Sequence, residues 1–213
     1  CIRDRIYIVF ISFEGIEGSG KSTQIDLLES HLKKLGHKVA KLREPGTTLM
    51  GEKIRDIFLQ DTAEKVDPIT EAFLLYASRK HLDQNFLREK ISQGYIVIAD
   101  RYSDATFAYQ CFGKGLSKDF IDFIHNSSDL LTPDLTFYMD ITAEMSRERI
   151  SNRAMDRMES ESIEFFDKVR KGYLEIVSEN PERVISLDAT KSIDELKDEI
   201  TLKTIEKLNA SLG

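Results

Sequence analysis

Cysteine is scarce in this chain: Cys1 and Cys111 are the only two among 213 residues. Two cysteines so far apart make neither a disulfide framework nor a metal-ligand spacing, and they suit a reducing, cytoplasmic setting. Long apolar runs are also missing. None approaches the roughly 20 residues a membrane-spanning helix needs, so no membrane partner is expected. The opening Cys1–Phe10 carries Arg3, Asp4 and Arg5 around a short apolar run that reads better as a strand than as a secretory leader. Positive charge is outnumbered: 30 Lys and Arg stand against 37 Asp and Glu, a net charge of −7. That balance disfavours a nonspecific grip on DNA or RNA, while leaving room for a small anion in a local basic pocket. The histidines, His31, His37, His81 and His125, show no paired metal spacing and read as structural or surface residues. No linker, low-complexity segment or internal repeat divides the chain, so one domain over residues 1–213 is expected.

What is present is an alternation of short apolar strands and amphipathic helices. Strands are expected at Arg5–Phe13, His37–Leu42, Tyr95–Ala99, Leu135–Asp140 and Arg183–Asp188. Helices are expected at Lys21–Leu35, Glu52–Leu59, Thr70–Gln93, Lys118–His125, Ala143–Arg153, Glu161–Glu179 and Ile193–Leu208. Such alternation predicts an α/β fold with a five-stranded parallel sheet, right-handed crossovers and helices on both faces. The charged stretch Ser151–Ser162 interrupts the core pattern and reads as a mobile loop or small lid.

Between the first strand and first helix stands Gly15-Ile-Glu-Gly-Ser-Gly-Lys-Ser22, which satisfies G-x-x-x-x-G-K-[ST] in its proper context. Glycines at 15, 18 and 20 let successive backbone N–H groups turn inward, and the helix N-terminus adds partial positive charge. Lys21 would reach the outer phosphates and Ser22 would offer its hydroxyl to Mg²⁺. The loop alone points to a nucleoside triphosphate and leaves NTPase, kinase and GTPase open. No guanine-reading N-K-x-D follows a strand, and the chain lacks the extra domain of most motor ATPases, so a small phosphotransferase stands in front.

Other candidates cluster where strands end, the ligand-binding edge of a parallel sheet. Arg43 in Leu42-Arg-Glu-Pro-Gly46 could meet an anion, or could be a surface residue of an ordinary turn. Asp100 closes an apolar run as a metal-organising aspartate would, and Arg101 beside it could neutralise phosphate. Thr106, Tyr109 and Gln110 follow at about one-turn spacing and could line a base and sugar pocket. Arg79 lies among Phe73, Leu74, Leu75, Tyr76 and Leu82, where composition alone favours snorkelling to solvent. Arg147, Arg149, Arg153 and Arg157 could meet a transferring phosphoryl group or lace a solvated helix end.

Taken together, Phe13–Gln24 (FEGIEGSGKSTQ), LREPG, TEAFLLYASR, DRYSDATFAYQ, Gly113–Gly115 (GKG), PDLTFYMD and DRMESESIEFFDKVRKGYLE fall in one order and spacing. That set, spanning nearly the whole chain, resembles the thymidylate kinase family. The resemblance implies a P-loop nucleoside monophosphate kinase-like fold, phosphorylation of dTMP to dTDP by ATP with Mg²⁺, and a homodimer. It implies donor binding by Gly15, Glu17, Gly18, Ser19, Gly20, Lys21, Ser22 and Thr23. Glu17 would also lie near the acceptor sugar. Arg43 and Arg101 would hold the acceptor phosphate, Arg79 would read the thymine O4 edge, and Leu75, Thr106, Tyr109 and Gln110 would line the nucleotide. Ser22 and Asp100 would serve Mg²⁺. No arginine stands between Ile16 and Ser19, which implies the bacterial-type group with its catalytic arginine in a lid over about 149–161. Arg153 is the first choice, Arg149 the second, and Arg157 is partly structural. Lys21, Asp100 and Arg101 complete the catalytic set.

Three positions depart from the family pattern. Thr47 replaces a second glycine and, being β-branched, should resist positive φ and give that turn another shape. Leu75 replaces a base-stacking phenylalanine, with Phe73 an uncertain substitute, and Ala105 replaces a serine. These leave open a related kinase with another base preference. A noncatalytic nucleotide-binding protein is the other alternative, against which Lys21, Ser22, Asp100 and Arg101 weigh.

Overall fold

A computed structural model describes residues 9–60, 66–151 and 157–210. Its centre is a sheet of β1 (Phe10–Glu14), β2 (Val39–Arg43), β3 (Ile96–Asp100), β4 (Leu135–Asp140) and β5 (Val184–Asp188). The spatial order is β2-β3-β1-β4-β5, and every neighbouring pair is parallel. The expected five-stranded parallel sheet is therefore present. The first strand is shorter than expected: β1 starts at Phe10, Val9 is extended coil, and residues 5–8 lie outside the described residues.

Period-two alternation divides the strand side chains between two layers. Phe10, Leu42, Val97 and Ala99 pack with Leu82, Leu87, Ile91 and Tyr102 on one face. Ile11, Phe13, Ile96 and Ile98 pack with Ile25, Leu28 and Leu32 of α1 (Lys21–Lys34) and with Leu196 and Ile200 of the C-terminal helix Ile193–Ala210. Both faces being covered, the strands read as near-continuous apolar runs, and β1 is buried throughout.

α2 (Leu49–Leu59) follows β2, and α3 (Pro68–Leu82) opens on Asp67, whose carboxylate accepts from the N–H groups of Ile69 and Thr70. The long helix expected over 70–93 is present as one continuous run, in which α3 passes through a π-helical turn, Asp83–Leu87, into α4 (Arg88–Ser92). After β3, α5 (Ser103–Thr106) runs into a second π-helical stretch, Phe107–Gly113. Next come α6 (Lys118–Ser127), α7 (Ala143–Ile150), α8 (Ile163–Glu179) and α9 (Ile193–Ala210). α7 stops at Ile150, so the expected helix over 143–153 is shorter, and the expected lid over about 149–161 falls partly on residues 152–156, outside the described ones. No described helix is long and apolar enough to cross a membrane.

The second π-helical stretch is held by close approach to α8. A Cβ on Gly172 would lie 2.9 Å from the Phe112 ring and 3.0 Å from the Ala108 Cα. A glycine inside a helix costs about 1 kcal/mol of propensity relative to alanine, so this one is kept for clearance. The contact sets where Tyr109 and Gln110 project. Gly172→Ala is accordingly expected to destabilise the fold by about 1–3 kcal/mol, the usual cost of overpacking, despite its better helix propensity. Denaturant unfolding checks it, and a gain in stability would contradict the packing described.

Candidate active site

The phosphate loop begins where β1 ends. Gly15 (φ 135°) passes so close to β4 that a Cβ there would lie 2.7 Å from the Met139 carbonyl oxygen. Gly18 (φ 72°) lies under α7, where a Cβ would meet the Ser146 carbonyl oxygen at 3.0 Å. Gly20 (φ 92°) introduces α1 without any side-chain cap, and no acidic residue occupies the first turn. By contrast Thr48, Asp67, Thr142 and Ser162 each cap their helices. The N–H groups opening α1 are thus left for an anion. Buried Ser19 has a hydroxyl with no partner, a further polar group turned to the loop interior.

The Lys21 ammonium is buried and donates to the carbonyl oxygens of Gly15 (2.9 Å) and Ile16 (3.1 Å). Burial and the nearby Arg101 guanidinium pull its pKa below the usual lysine value. Glu17 stands between the two cations, 3.7 Å from Lys21 Nζ and 3.6 Å from Arg101 Nη2. It lines the neighbouring cavity rather than the loop interior.

That cavity is walled by Glu17, Glu44, Pro45, Arg55, Phe58, Leu59, Leu75, Arg79, Arg101, Thr106, Tyr109, Gln110 and Met158, among others. At its closed end Arg79 is 1% exposed. Its Nε donates to Glu44 Oε2 at 2.5 Å, and its Nη2 to Thr106 Oγ1 at 2.8 Å and the Tyr102 carbonyl at 3.2 Å. Its Nη1 has no partner. The snorkelling reading of Arg79 is therefore replaced by a buried, aimed guanidinium. Thr106 orients Arg79 with its hydroxyl. Burial pushes the Glu44 carboxyl up to about 7, against the pull of Arg79. Gln110 is also buried. Its Nε2 donates to Glu71 Oε2 at 3.3 Å, while its Oε1 is unpartnered. Leu75 lines the cavity, whereas Phe73 is 54% exposed and meets Phe120 edge-on, so Phe73 does not take the ring position.

At the other end Arg101 lies over the Tyr109 ring, 5.3 Å from its centroid, and donates to the Tyr109 hydroxyl (3.3 Å) and the Gly15 carbonyl (3.1 Å). Its φ of 68° turns the chain sharply after Asp100. Arg55 of α2 joins it in the wall. Burial and then the charges of Arg43 and Arg101 depress the Arg55 pKa, the mark of cations crowded where an anion belongs. Sequence reading passed over Arg55. The available signal was its place about two turns into the helix after REPG, on the side of buried Gly51 and Phe58.

Arg43 is paired with Glu52 at the end of β2. Its guanidinium Nη2 bonds both Glu52 oxygens, at 3.0 and 2.9 Å, and it lines a separate hollow with Ser22, Lys41, Thr47, Glu52 and Asp100. Arg55 thus lines the cavity with Arg101, while Arg43 lines this hollow close by. Thr47 differs from expectation, adopting φ 68° after all. The strain of a β-branched residue there is offset by local bonds. Its hydroxyl accepts from the Arg43 N–H (2.8 Å) and lies 3.1 Å from the Arg43 carbonyl, and its own N–H donates to Glu52 Oε1 (2.7 Å).

The hollow sets the Ser22 hydroxyl and the Asp100 carboxylate on one wall. Among the described residues no three His, Cys, Asp or Glu side chains converge as a metal cage. One hydroxyl and one carboxylate suit a hard divalent ion that takes its remaining ligands from phosphate and water. Thr23 is exposed at the start of α1 beside Ser22.

α7 and the following turn close over the loop. The Ser146 hydroxyl donates to the Glu17 carbonyl at 2.6 Å. Arg149 donates to the carbonyls of Gly18 (3.2 Å) and Ala189 (2.9 Å), so it braces the phosphate loop from outside. Arg157 donates to the Phe58 carbonyl (3.0 Å) and to Glu71 (3.1 Å), a structural tie across the acceptor side. Arg153 lies outside the described residues.

Comparison with known proteins places this geometry. The thymidylate kinase family profile matches residues 13–200. A thymidylate kinase of Caldanaerobacter subterraneus subsp. tengcongensis is 43% identical over 185 residues, covering 86% of this chain and 88% of that protein. One of Sulfurihydrogenibium sp. is 43% identical over 188 residues, covering 88% and 92%. A crystal structure of thymidylate kinase from Ehrlichia chaffeensis superposes with a TM-score of 0.73 at 32% identity, over 95% of this chain and 98% of that one.

The Thr47 turn yields a test. Thr47→Val keeps the branching and deletes the hydroxyl, so about 1–3 kcal/mol of backbone strain goes uncompensated. Thr47→Gly removes both strain and bond and is expected to stay close to the parent. Thermal unfolding of the two variants should rank Gly well above Val; the reverse order would contradict the compensation described.

Proposed function

The chain belongs to the thymidylate kinase family, and from that premise we propose that it transfers the γ-phosphoryl group of ATP to the phosphate of dTMP, releasing dTDP. The observation that carries the base identity is the pair of unpartnered groups in the closed end of the cavity. Arg79 Nη1 is a buried donor and Gln110 Oε1 a buried acceptor. A ligand edge with a carbonyl beside an N–H satisfies both, which is the O4/N3–H edge of thymine or uracil. Cytosine presents the opposite polarity, and leaving buried polar groups unpaired gives strong rejection. Leu75 supplies apolar contact to the ring. Tyr109 and Glu17 face the deoxyribose, and Arg55 and Arg101 hold the acceptor phosphate.

The donor phosphates lie in the Gly15–Thr23 loop, with Lys21 moving from the Gly15 and Ile16 carbonyls to the outer phosphates. Ser22 and Asp100, which line one hollow, would hold Mg²⁺, which would supply charge neutralisation to the donor phosphates. The acceptor oxygen is already nucleophilic, so no strong general base is required. Catalysis is alignment of two phosphates and stabilisation of spread charge by Lys21, Arg101 and a lid arginine, with Arg153 in that role and Arg149 bracing the loop. The reading takes the chain as one kinase domain whose segment over about 149–161 is the lid. It also takes the enzyme as cytoplasmic and homodimeric. Exposed Ile69 and Phe73 on α3 and Phe123 on α6, the last 71% exposed, support an apolar contact between copies.

A panel of dTMP, dUMP, dCMP, dGMP and UMP with ATP and Mg²⁺ tests the assignment by coupled ADP release. Turnover of dTMP and dUMP is expected, with dCMP at least about tenfold poorer for the loss of one buried hydrogen bond; failure to phosphorylate either dTMP or dUMP would overturn it.

The Glu44–Arg79 pair adds a pH signature. Above about 7 Glu44 is ionised and holds Arg79 on the base edge; below it the carboxyl is protonated and the pair weakens. The kcat/KM for dTMP should therefore fall as pH drops through about 7. The nucleotide phosphate titrates near pH 6, so Glu44→Gln should abolish the upper inflection and leave the lower one. An unchanged profile in that variant would assign both inflections to the substrate.

A further inference from the structure

Glu71 is a fully enclosed carboxylate that the proposed reaction does not use. It sits on α3, 0% exposed, one helical face away from solvent and behind the base-reading end of the cavity. Its oxygens collect donors from separate parts of the chain. Lys114 Nζ and Gln110 Nε2 reach Oε2, the latter at 3.3 Å, and Arg157 Nη2 reaches Oε1 at 3.1 Å. With an ammonium against one oxygen and a guanidinium against the other, every hydrogen bond at Glu71 is one it accepts.

A glutamine amide is nearly symmetric in shape but opposite in polarity at its two ends. Gln110 could present either its oxygen or its NH₂ to the cavity with little change in packing. What decides is the group behind it. An acceptor at Glu71 demands the NH₂, so the oxygen must face forward, and Gln110 Oε1 is the unpartnered atom in the cavity wall. We infer that Glu71 is a specificity-determining positioning residue: it locks the Gln110 amide with its oxygen toward the base and thereby makes the site demand an N3–H. This rests on the thymine reading proposed above and deepens it. Arg79 is fixed independently by Glu44 and Thr106, so the two halves of the readout have separate supports.

The lock makes a prediction that general destabilisation does not. In Glu71→Gln the new amide can donate as well as accept, so both orientations of Gln110 are allowed. The flipped form offers NH₂ to the unprotonated N3 of cytosine, though Arg79 still opposes its amino group. The ratio of kcat/KM for dTMP over dCMP should fall about tenfold, one hydrogen bond's worth. Lys114→Met should keep the parent ratio, because Glu71 and its demand on Gln110 remain. Glu71→Gln/Lys114→Met removes the carboxylate together with one of the cations it neutralises, and should show the same lowered ratio as the single variant.

Steady-state kinetics with dTMP and dCMP on the full chain separates the outcomes. A wild-type preference for dTMP that both Glu71 variants retain overturns the lock and leaves the base reading standing. No preference in the wild type overturns the base reading and the lock with it. If neither Glu71 variant folds, the wild-type Gln110 side-chain amide decides by nitrogen-15 NMR. Slow exchange of its NH₂ protons with water, undisturbed by dTMP, is expected; rapid exchange, or protection appearing only with dTMP, overturns the lock.

Discussion

The site depends on one buried carboxylate at the end of the central strand. Glu14 is fully enclosed, accepting from the Tyr102 N–H at 2.8 Å and the Tyr173 hydroxyl at 3.0 Å. Tyr102 belongs to the turn that follows β3, and Tyr173 to α8. The residue immediately after Glu14 opens the phosphate loop. One side chain thus ties the loop, the Arg101 turn and α8 together. Burial and the nearby Asp104 raise its pKa to about 8. Removing a partner from such a group costs about 1–3 kcal/mol for each buried polar atom left unsatisfied, and here the loss would fall on the geometry between donor and acceptor.

From that anchor the rest of the site is arranged by neighbours that each serve two masters. Tyr173 stacks on Tyr138 (centroids 4.8 Å apart) and meets Tyr109 edge-on, and Tyr109 in turn supports the Arg101 guanidinium. Tyr109 and Gln110, adjacent in the π-helical stretch, are both buried and both line the cavity. The preorganisation is electrostatic as well as steric: Lys21, Arg55 and Arg101 are gathered around Glu17 before any phosphate arrives.

Much of this was legible in the sequence, and the reasons are physical. The sheet declared itself because strands buried on both faces read as unbroken apolar runs, and the phosphate loop because glycine, lysine and serine are tied to fixed backbone tasks. Family resemblance carried Arg79 past its misleading apolar surroundings. Arg55 was passed over because one arginine on an amphipathic helix looks like surface. Sequence shows that the Arg43 cation lies near a strand end but not that Glu52, nine residues on, pairs with it. The second π-helical stretch was invisible, since it fits against α8 through Gly113 and Gly172, which lie close to rings of the opposite segment.

Thr47 shows how such local compensation shapes the routes open to drift. Its left-handed backbone is tolerable only while a side chain or hydrogen can close onto Arg43 and Glu52. Position 47 therefore exchanges freely with glycine, and with asparagine or serine, which bond locally, but not with valine or isoleucine, though valine matches threonine in shape. Glu52 is drawn into the same constraint, because it serves the Thr47 N–H and the Arg43 guanidinium together. Arg43, Thr47 and Glu52 are thus coupled through one set of hydrogen bonds, so a change at any one of them is felt by the other two.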